Sequence, residues 1–139
     1  ILHCLTAELH YLADNPRHWV ETTVIILTAA FPDFLDYNDF LELAEERLCA
    51  EGGEGVFQLA SFHPAYQFAE TDPDDPGNLT NRAPYPLLHL LREESVSEAV
   101  DAISDPEEIP NRNIAQMEAL TPAERKTLFP WLPSPKSDF

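Results

Sequence analysis

Four leucines at the start of the chain are separated by three or four residues, so they share one face of a helix. These are Leu2, Leu5, Leu9 and Leu12. The pattern stops at Asn15-Pro16, because the residue before a proline avoids the helical conformation. The spacing therefore predicts an amphipathic helix that ends near Asn15.

A second apolar stripe follows the turn at Pro32-Asp33 and predicts a second helix. Asp36 is its predicted N-cap, and the next acid, Asp39, suits the positive end of the helix dipole. Gly52-Gly53 predicts the C-terminal end of this helix. The apolar face consists of Tyr37, Phe40, Leu41, Ala44 and Leu48.

Three segments have strand patterns. Residues 21–28 are rich in β-branched side chains and apolar on both faces, which is typical of a central strand covered on both sides. Residues 55–62 alternate between two sets of side chains and predict a second strand. Residues 87–93 fit a helix or a strand. The strand is favoured, because Ser95-Val96-Ser97-Glu98 has a capping-box pattern and predicts that a helix starts at Ser95.

Further helices are predicted over residues 96–103 and 106–120, and Pro110 should kink the second of these or delay its start. Thr121 caps a last short turn, and residues 130–139 form an extended, proline-rich tail. The order of elements predicts a single α/β (α+β) domain over residues 1–139. We expect a small, mostly parallel or mixed sheet of three to four strands packed with four to five helices.

Acidic residues dominate the composition: 25 Asp and Glu face 8 Lys and Arg, for a formal net charge of −17 at pH 7. This charge repels phosphate backbones and anionic membrane surfaces, so we expect neither a nucleic acid nor a membrane as partner. Only Cys4 and Cys49 occur, too few for a disulfide framework or a structural zinc site. With no signal-peptide pattern, a cytoplasmic location is expected.

Residues capable of acid–base chemistry and anion binding concentrate between positions 63 and 92. His63 follows the second strand, where ligands bind in open α/β sheets, and it is with His89 a candidate catalytic residue. Arg82 or Arg92 can hold a carboxylate or phosphate in bidentate fashion. The remaining candidate ligand-binding residues are Tyr66, Asn81 and Tyr85. Three of the seven lie in the long, proline-rich loop of residues 71–86, and such loops are often functional.

Three functions remain open. The first is an enzyme or sensor that binds a small anionic metabolite, a carboxylate or phosphate, in a His/Arg/Tyr pocket. The second is an acidic protein-interaction module that recognises a basic partner. The third is a metal site in which His63 and His89 join Asp36 or Asp72, although no recognised ligand spacing is present. Structural roles compete with all three, since two arginines among 25 acids find carboxylates in any fold. The sequence specifies no reaction, cofactor or oligomeric state.

Four ordered blocks within residues 21–120 resemble one known bacterial family, catalogued as domain of unknown function 1415. The blocks are Phe34-Leu35-Asp36-Tyr37-Asn38-Asp39-Phe40-Leu41, residues 58–68, Asn81-Arg82-Ala83-Pro84-Tyr85-Pro86 and Leu88-His89-Leu90-Leu91-Arg92-Glu93. The resemblance implies a bacterial, cytoplasmic protein and implies no activity. It also implies an N-terminal stretch with a Cys-Pro motif, and we expect such a segment to precede residue 1, because the sequence opens inside a helical pattern. Ala83 stands where the resemblance implies Ser, so a hydroxyl is missing there.

Overall fold

The computed structural model describes residues 1–133. Its elements are α1 (Leu2–Asp14), β1 (Thr23–Ile26), α2 (Phe34–Ala50), β2 (Phe57–Phe62), β3 (Leu87–Arg92), α3 (Glu93–Asp101), α4 (Ile109–Glu118) and α5 (Pro122–Leu128). Short 3-10 helices cover Pro76–Asn81 and Pro106–Glu108. Within these described residues, every helix is too short or too polar to cross a membrane.

The three strands form one sheet in the order β1-β3-β2, and both pairings are antiparallel. His89 of β3 lies between Val24 of β1 and Ala60 of β2. The α+β class is thereby confirmed, but the mostly parallel or mixed sheet is wrong. β1 and β2 do run in the same direction, joined through α2. The chain then returns through residues 63–86 without a full crossover helix, so β3 enters between them in the opposite direction.

The core lies between one face of this sheet and the helices α1 and α2. Leu88 and Leu90 of β3 are fully buried, and they belong to the same core cluster as the leucine stripe of α1. The apolar stripe predicted for α2 is buried at four of its five positions, Tyr37, Phe40, Ala44 and Leu48. Each fully buried Leu or Phe side chain contributes about 1.5–3 kcal/mol. Periodicity therefore predicted both helices correctly.

The strand β1 is not the covered central strand that residues 21–28 predict. It lies at the edge of the sheet, and the side chains of Val24 and Ile26 remain 48% and 55% exposed. Its inward residue Ile25 is buried. Both faces of β1 are apolar, as the sequence predicts. Within residues 1–133, however, the outer face is much less covered than the inner face that carries Ile25.

Two helices begin at residues other than those predicted. Asp33, not Asp36, is the N-cap of α2, and its Oδ1 accepts from the backbone N–H of Leu35 at 2.8 Å. Helix α3 begins at Glu93 rather than Ser95, because the chain turns directly out of β3 and the Glu93 N–H donates to Val56 O at 2.9 Å.

The last part of the described chain follows the sequence pattern more closely. Pro110 lies in the first turn of α4, after a separate 3-10 turn, so it delays the start of the helix as predicted. The capping box of Thr121 and Glu124 is confirmed. Of the predicted tail, residues 134–139 lie outside the described residues. Before them the chain turns, with Leu132 N–H donating to Phe129 O at 3.1 Å.

Candidate functional site

His63 is buried and held through both ring nitrogens. Its Nδ1 accepts from the backbone N–H of Ala65 at 3.0 Å, so the ring proton is on Nε2, which lies 2.9 Å from Phe31 O and donates to it. Only 1% of the residue is exposed. Phe31 adopts a φ of 55°, in the left-handed region that residues other than glycine seldom occupy. His63 therefore fastens the loop after β1 to the end of β2.

Tyr66 belongs to an aromatic cluster around the same histidine. The ring of Phe34 lies 5.1 Å from that of Tyr66 and 5.4 Å from that of His63, and Phe68 packs edge-on against Tyr66 at 5.1 Å. These separations are typical of aromatic packing. The Tyr66 ring is thus in contact mainly with other rings.

Arg82 and Asn81 fasten the proline-rich loop to neighbouring backbone. The guanidinium of Arg82 donates from Nε to Tyr66 O at 3.1 Å and from Nη2 to Pro73 O at 2.6 Å. Burial lowers the pKa of Arg82, the nearby Arg125 lowers it further, and Asp74 opposes both. Asn81 Nδ2 donates to Ser61 O at 3.1 Å.

His89 and Tyr85 lie away from this group. His89 points from the middle of β3 to the side of the sheet opposite α1 and α2, where its Nε2 hydrogen-bonds to Thr22 Oγ1. Burial lowers the pKa of His89. Tyr85, just before β3, is 49% exposed.

Arg92 closes the C-terminal end of α1. Its Nη2 lies 2.8–2.9 Å from three backbone oxygens, those of Leu12, Asn15 and Val20. The guanidinium also lies 5.8 Å from the ring centroid of Phe57. The last carbonyls of a helix have no partner within the helix and favour a cation. Arg92 supplies both the donors and the charge.

The seven predicted site residues thus separate into groups. His63, Tyr66, Asn81 and Arg82 surround the end of β2, with Tyr85 exposed at the start of β3. Arg92 lies five residues along β3 from Leu87, about 16 Å away at the rise of a strand, and on the opposite face from His89. Among residues 1–133, no three His, Cys, Asp or Glu side chains lie close enough together to hold a metal ion.

Two buried side chains form hydrogen-bonding centres that the sequence did not predict. Tyr37, expected only as a core position, donates to Leu87 O at 2.7 Å and accepts from Phe62 N–H at 3.2 Å, and burial raises its pKa. Asn78 is fully buried and orders the loop, with its Oδ1 2.9 Å from the N–H of Phe68. A polar residue inside an apolar stripe, or a buried Asn after Pro-Gly, carries little signal in a single sequence.

Two adjoining solvent-accessible surfaces lie near the end of β2. The first, which we call the outer sheet face, is the side of the sheet opposite α1 and α2, and it consists of Val24, Ile26, Gln58, Ala60, Phe62, Leu87, His89 and Leu91. The second is a cavity of about 430 Å³ between β2, the loop and α4. It is lined by Phe62, Phe68, Thr80, Asn81, Ile109, Pro110, Asn113 and Ile114. Phe62 belongs to both, so the two surfaces adjoin.

Comparison with known proteins identifies the family. Residues 1–127 match the family described as protein of unknown function (DUF1415), and the chain belongs to it. No curated protein and no solved structure matches the chain. The family description carries no activity, so the function has to be argued from the surfaces themselves.

Proposed function

We propose that this member of the DUF1415 family is a protein-interaction module, and that its outer sheet face binds a basic segment of a partner protein. The observation that carries the proposal is the exposure of apolar side chains along the edge strand β1, where Val24 and Ile26 are about half exposed. An antiparallel sheet with one face in water usually carries polar residues on that face. Contiguous exposed apolar surface is typical of interaction sites.

The edge position of β1 adds a second reason. Among the described strands β1 has a single neighbour, β3, so one row of its backbone N–H and C=O groups faces outward. An extended segment can pair with such an edge, and alternate side chains of that segment then contact the sheet face. Trp19, just before β1, is 74% exposed and is the type of residue that dominates binding energies at interfaces.

The charge supports a basic partner. Helix α3 follows β3 directly, and residues 93–108 contain seven Asp and Glu and no Lys or Arg. Val100 and Ile103 are 39% and 38% exposed beside these acids. A segment with both apolar and basic side chains complements this acidic stretch, which continues the chain directly from β3. A second copy of the chain would instead bring another charge of −17 against it.

The alternative hypotheses have less support. A small anionic metabolite would need cationic side chains directed at a shared cavity, whereas Arg82 and Arg92 direct theirs at backbone carbonyls on different parts of the fold. A catalytic His63 would need access to solvent, and it has almost none. The metabolite and metal hypotheses stay predictions, and neither is the function that we propose.

The test is the selection of peptides from a random library on the full chain, followed by affinity measurement of the enriched sequences. We expect enriched peptides to combine Lys or Arg with β-branched residues. Their affinity should fall between about 0.1 M and about 1 M salt, as the screening length shortens from about 10 Å to about 3 Å. Enrichment of peptides without basic residues would contradict the proposal.

Matched variants separate the two contributions. Replacing Val24 and Ile26 together by Thr keeps the β-branched shape but removes apolar area, and should weaken binding about tenfold at every salt concentration. The pair Glu94→Gln and Asp101→Asn should weaken binding only at low salt. Leu35→Thr on α2, where the side chain is 70% exposed, is the control and should change nothing. Equal effects of all three changes would remove the outer sheet face from consideration.

A further inference from the structure

The cavity beside α4 is separate in character from the outer sheet face that it adjoins. Helix α4 packs on the 3-10 helix of Pro76–Asn81, where the buried Gly77 lies beside Ile114. The end of β2 supplies the remaining wall through Phe62.

The lining is apolar with three uncharged polar groups. Five of the eight lining residues are Phe, Ile or Pro, and the others are Thr80, Asn81 and Asn113. None carries a charge, although the chain as a whole is strongly acidic. A ligand with a net charge would therefore leave water without meeting an opposite charge in the lining.

Asn81 has hydrogen-bonding capacity left over. Its amide offers two N–H groups and an oxygen, and one N–H donates to Ser61 O. The single hydroxyl proton of Thr80 is shared between Asn81 Oδ1 at 3.2 Å and Gly77 O at 2.9 Å. One N–H and most of the oxygen's accepting capacity therefore remain for a ligand. Asn113 makes no side-chain hydrogen bond to any other residue of the described chain and is exposed, so it offers a second amide from α4.

We propose that this cavity binds a small, uncharged molecule with an apolar ring or branched chain and one carboxamide-like group. The volume of about 430 Å³ lies within the range of about 300–1,000 Å³ that small-molecule sites occupy. The apolar part contacts Phe62, Phe68 and Ile114. The carboxamide donates to one of the two Asn side chains and accepts from the other. This inference is independent of the partner proposed for the outer sheet face.

Three probes of the same size but different charge test the inference: benzamide, benzoate and benzylammonium. Each is titrated into the full chain labelled with ¹⁵N, and backbone amide shifts are followed. Benzamide should shift the amides of Asn81, Asn113 and Ile114 with a Kd on the order of 1 mM, as expected for a fragment of this size. Benzoate and benzylammonium should bind at least about fivefold more weakly, because each loses a hydrogen bond or desolvates a charge. Equal binding of all three, or no shift with benzamide, would overturn the proposal.

Variants locate the binding. Ile114→Trp fills the cavity and should abolish the benzamide shifts, whereas Leu35→Trp, at an exposed position on α2, should leave them unchanged. Asn113→Ala removes one exposed amide without touching the packing and should weaken benzamide about fivefold. This second variant tests the binding site independently, should Ile114→Trp disturb the packing of α4. Benzamide affinity that survives Asn113→Ala unchanged would rule out the carboxamide contact.

Discussion

Replacement of Arg92 distinguishes a structural cation from a ligand-binding one. In Arg92→Met the aliphatic stem is retained but the guanidinium is removed. Three carbonyl oxygens, one in the last turn of α1 and two in the segment that follows it, then lose their donor. A hydrogen bond to a charged group contributes about 1.5–3 kcal/mol when it is buried. Arg92 is only half-buried and water can replace part of this, so about 1 kcal/mol per carbonyl is a reasonable value.

The sum predicts that Arg92→Met lowers the free energy of unfolding by about 3 kcal/mol, with a fall in Tm of roughly 10 °C for a domain of this size. Arg92→Lys keeps the charge but lacks the planar fork, and should recover about half of the loss. Urea unfolding followed by circular dichroism measures both. Hydrogen exchange should show faster exchange of the amides in the last turn of α1 in the Met variant.

Arg47→Met is the matched control. Arg47 lies on α2, 3.4 Å from Glu51 in a partly exposed ion pair of the (i, i+4) type, and helix pairs of this type contribute about 0.3–0.5 kcal/mol. If Arg92→Met cost no more than this control, water would satisfy the α1 carbonyls equally well. The structural interpretation of Arg92 would then be refuted, and its anion-binding role would again be the better explanation.

Three further outcomes follow from the buried polar groups. His63→Phe leaves two backbone groups without partners and should cost about 2–4 kcal/mol in urea unfolding; a cost below about 1 kcal/mol would contradict the fastening role. Tyr37→Phe removes one donated and one accepted hydrogen bond and should cost about 1–3 kcal/mol in the same assay, with an unchanged circular dichroism spectrum. Burial lowers the pKa of His89, so on acidification the unfolded chain binds a proton at this residue before the folded chain does. The contribution of His89 to the free energy of unfolding is therefore complete above about pH 6.5 and declines as the pH falls through the folded pKa. The difference in unfolding free energy between the wild-type chain and His89→Gln should therefore change on the acid side of pH 6.5, and a pH-independent difference would refute this.

Local patterns predicted the elements better than their arrangement. The leucine stripe of α1 and the apolar stripe of α2 depend on the period of a helix, which neighbouring residues alone determine. The direction of β3 depends on how residues 63–86 return to the sheet, and no local pattern encodes that path. The outer face of β1 likewise looks the same in sequence whether another layer covers it or not. The sequence therefore predicted the strand but not its edge position.

Four of the seven candidate site residues donate to backbone carbonyls: His63, Asn81, Arg82 and Arg92. Proline has no N–H, so the proline-rich loop of residues 71–86 contains more carbonyl acceptors than backbone donors. Arg82 supplies donors inside this loop, with its Nη2 2.6 Å from Pro73 O. Pro16 likewise lacks an N–H just beyond α1, and there Arg92 donates to Leu12 O and Asn15 O. A buried carbonyl without a partner costs about 1–3 kcal/mol. In a chain with 8 Lys and Arg, a cation near a proline-terminated segment is therefore expected to bind backbone before it binds a ligand. Among residues 1–133 no Asp or Glu is buried, so these side chains remain accessible to the basic partner that we propose.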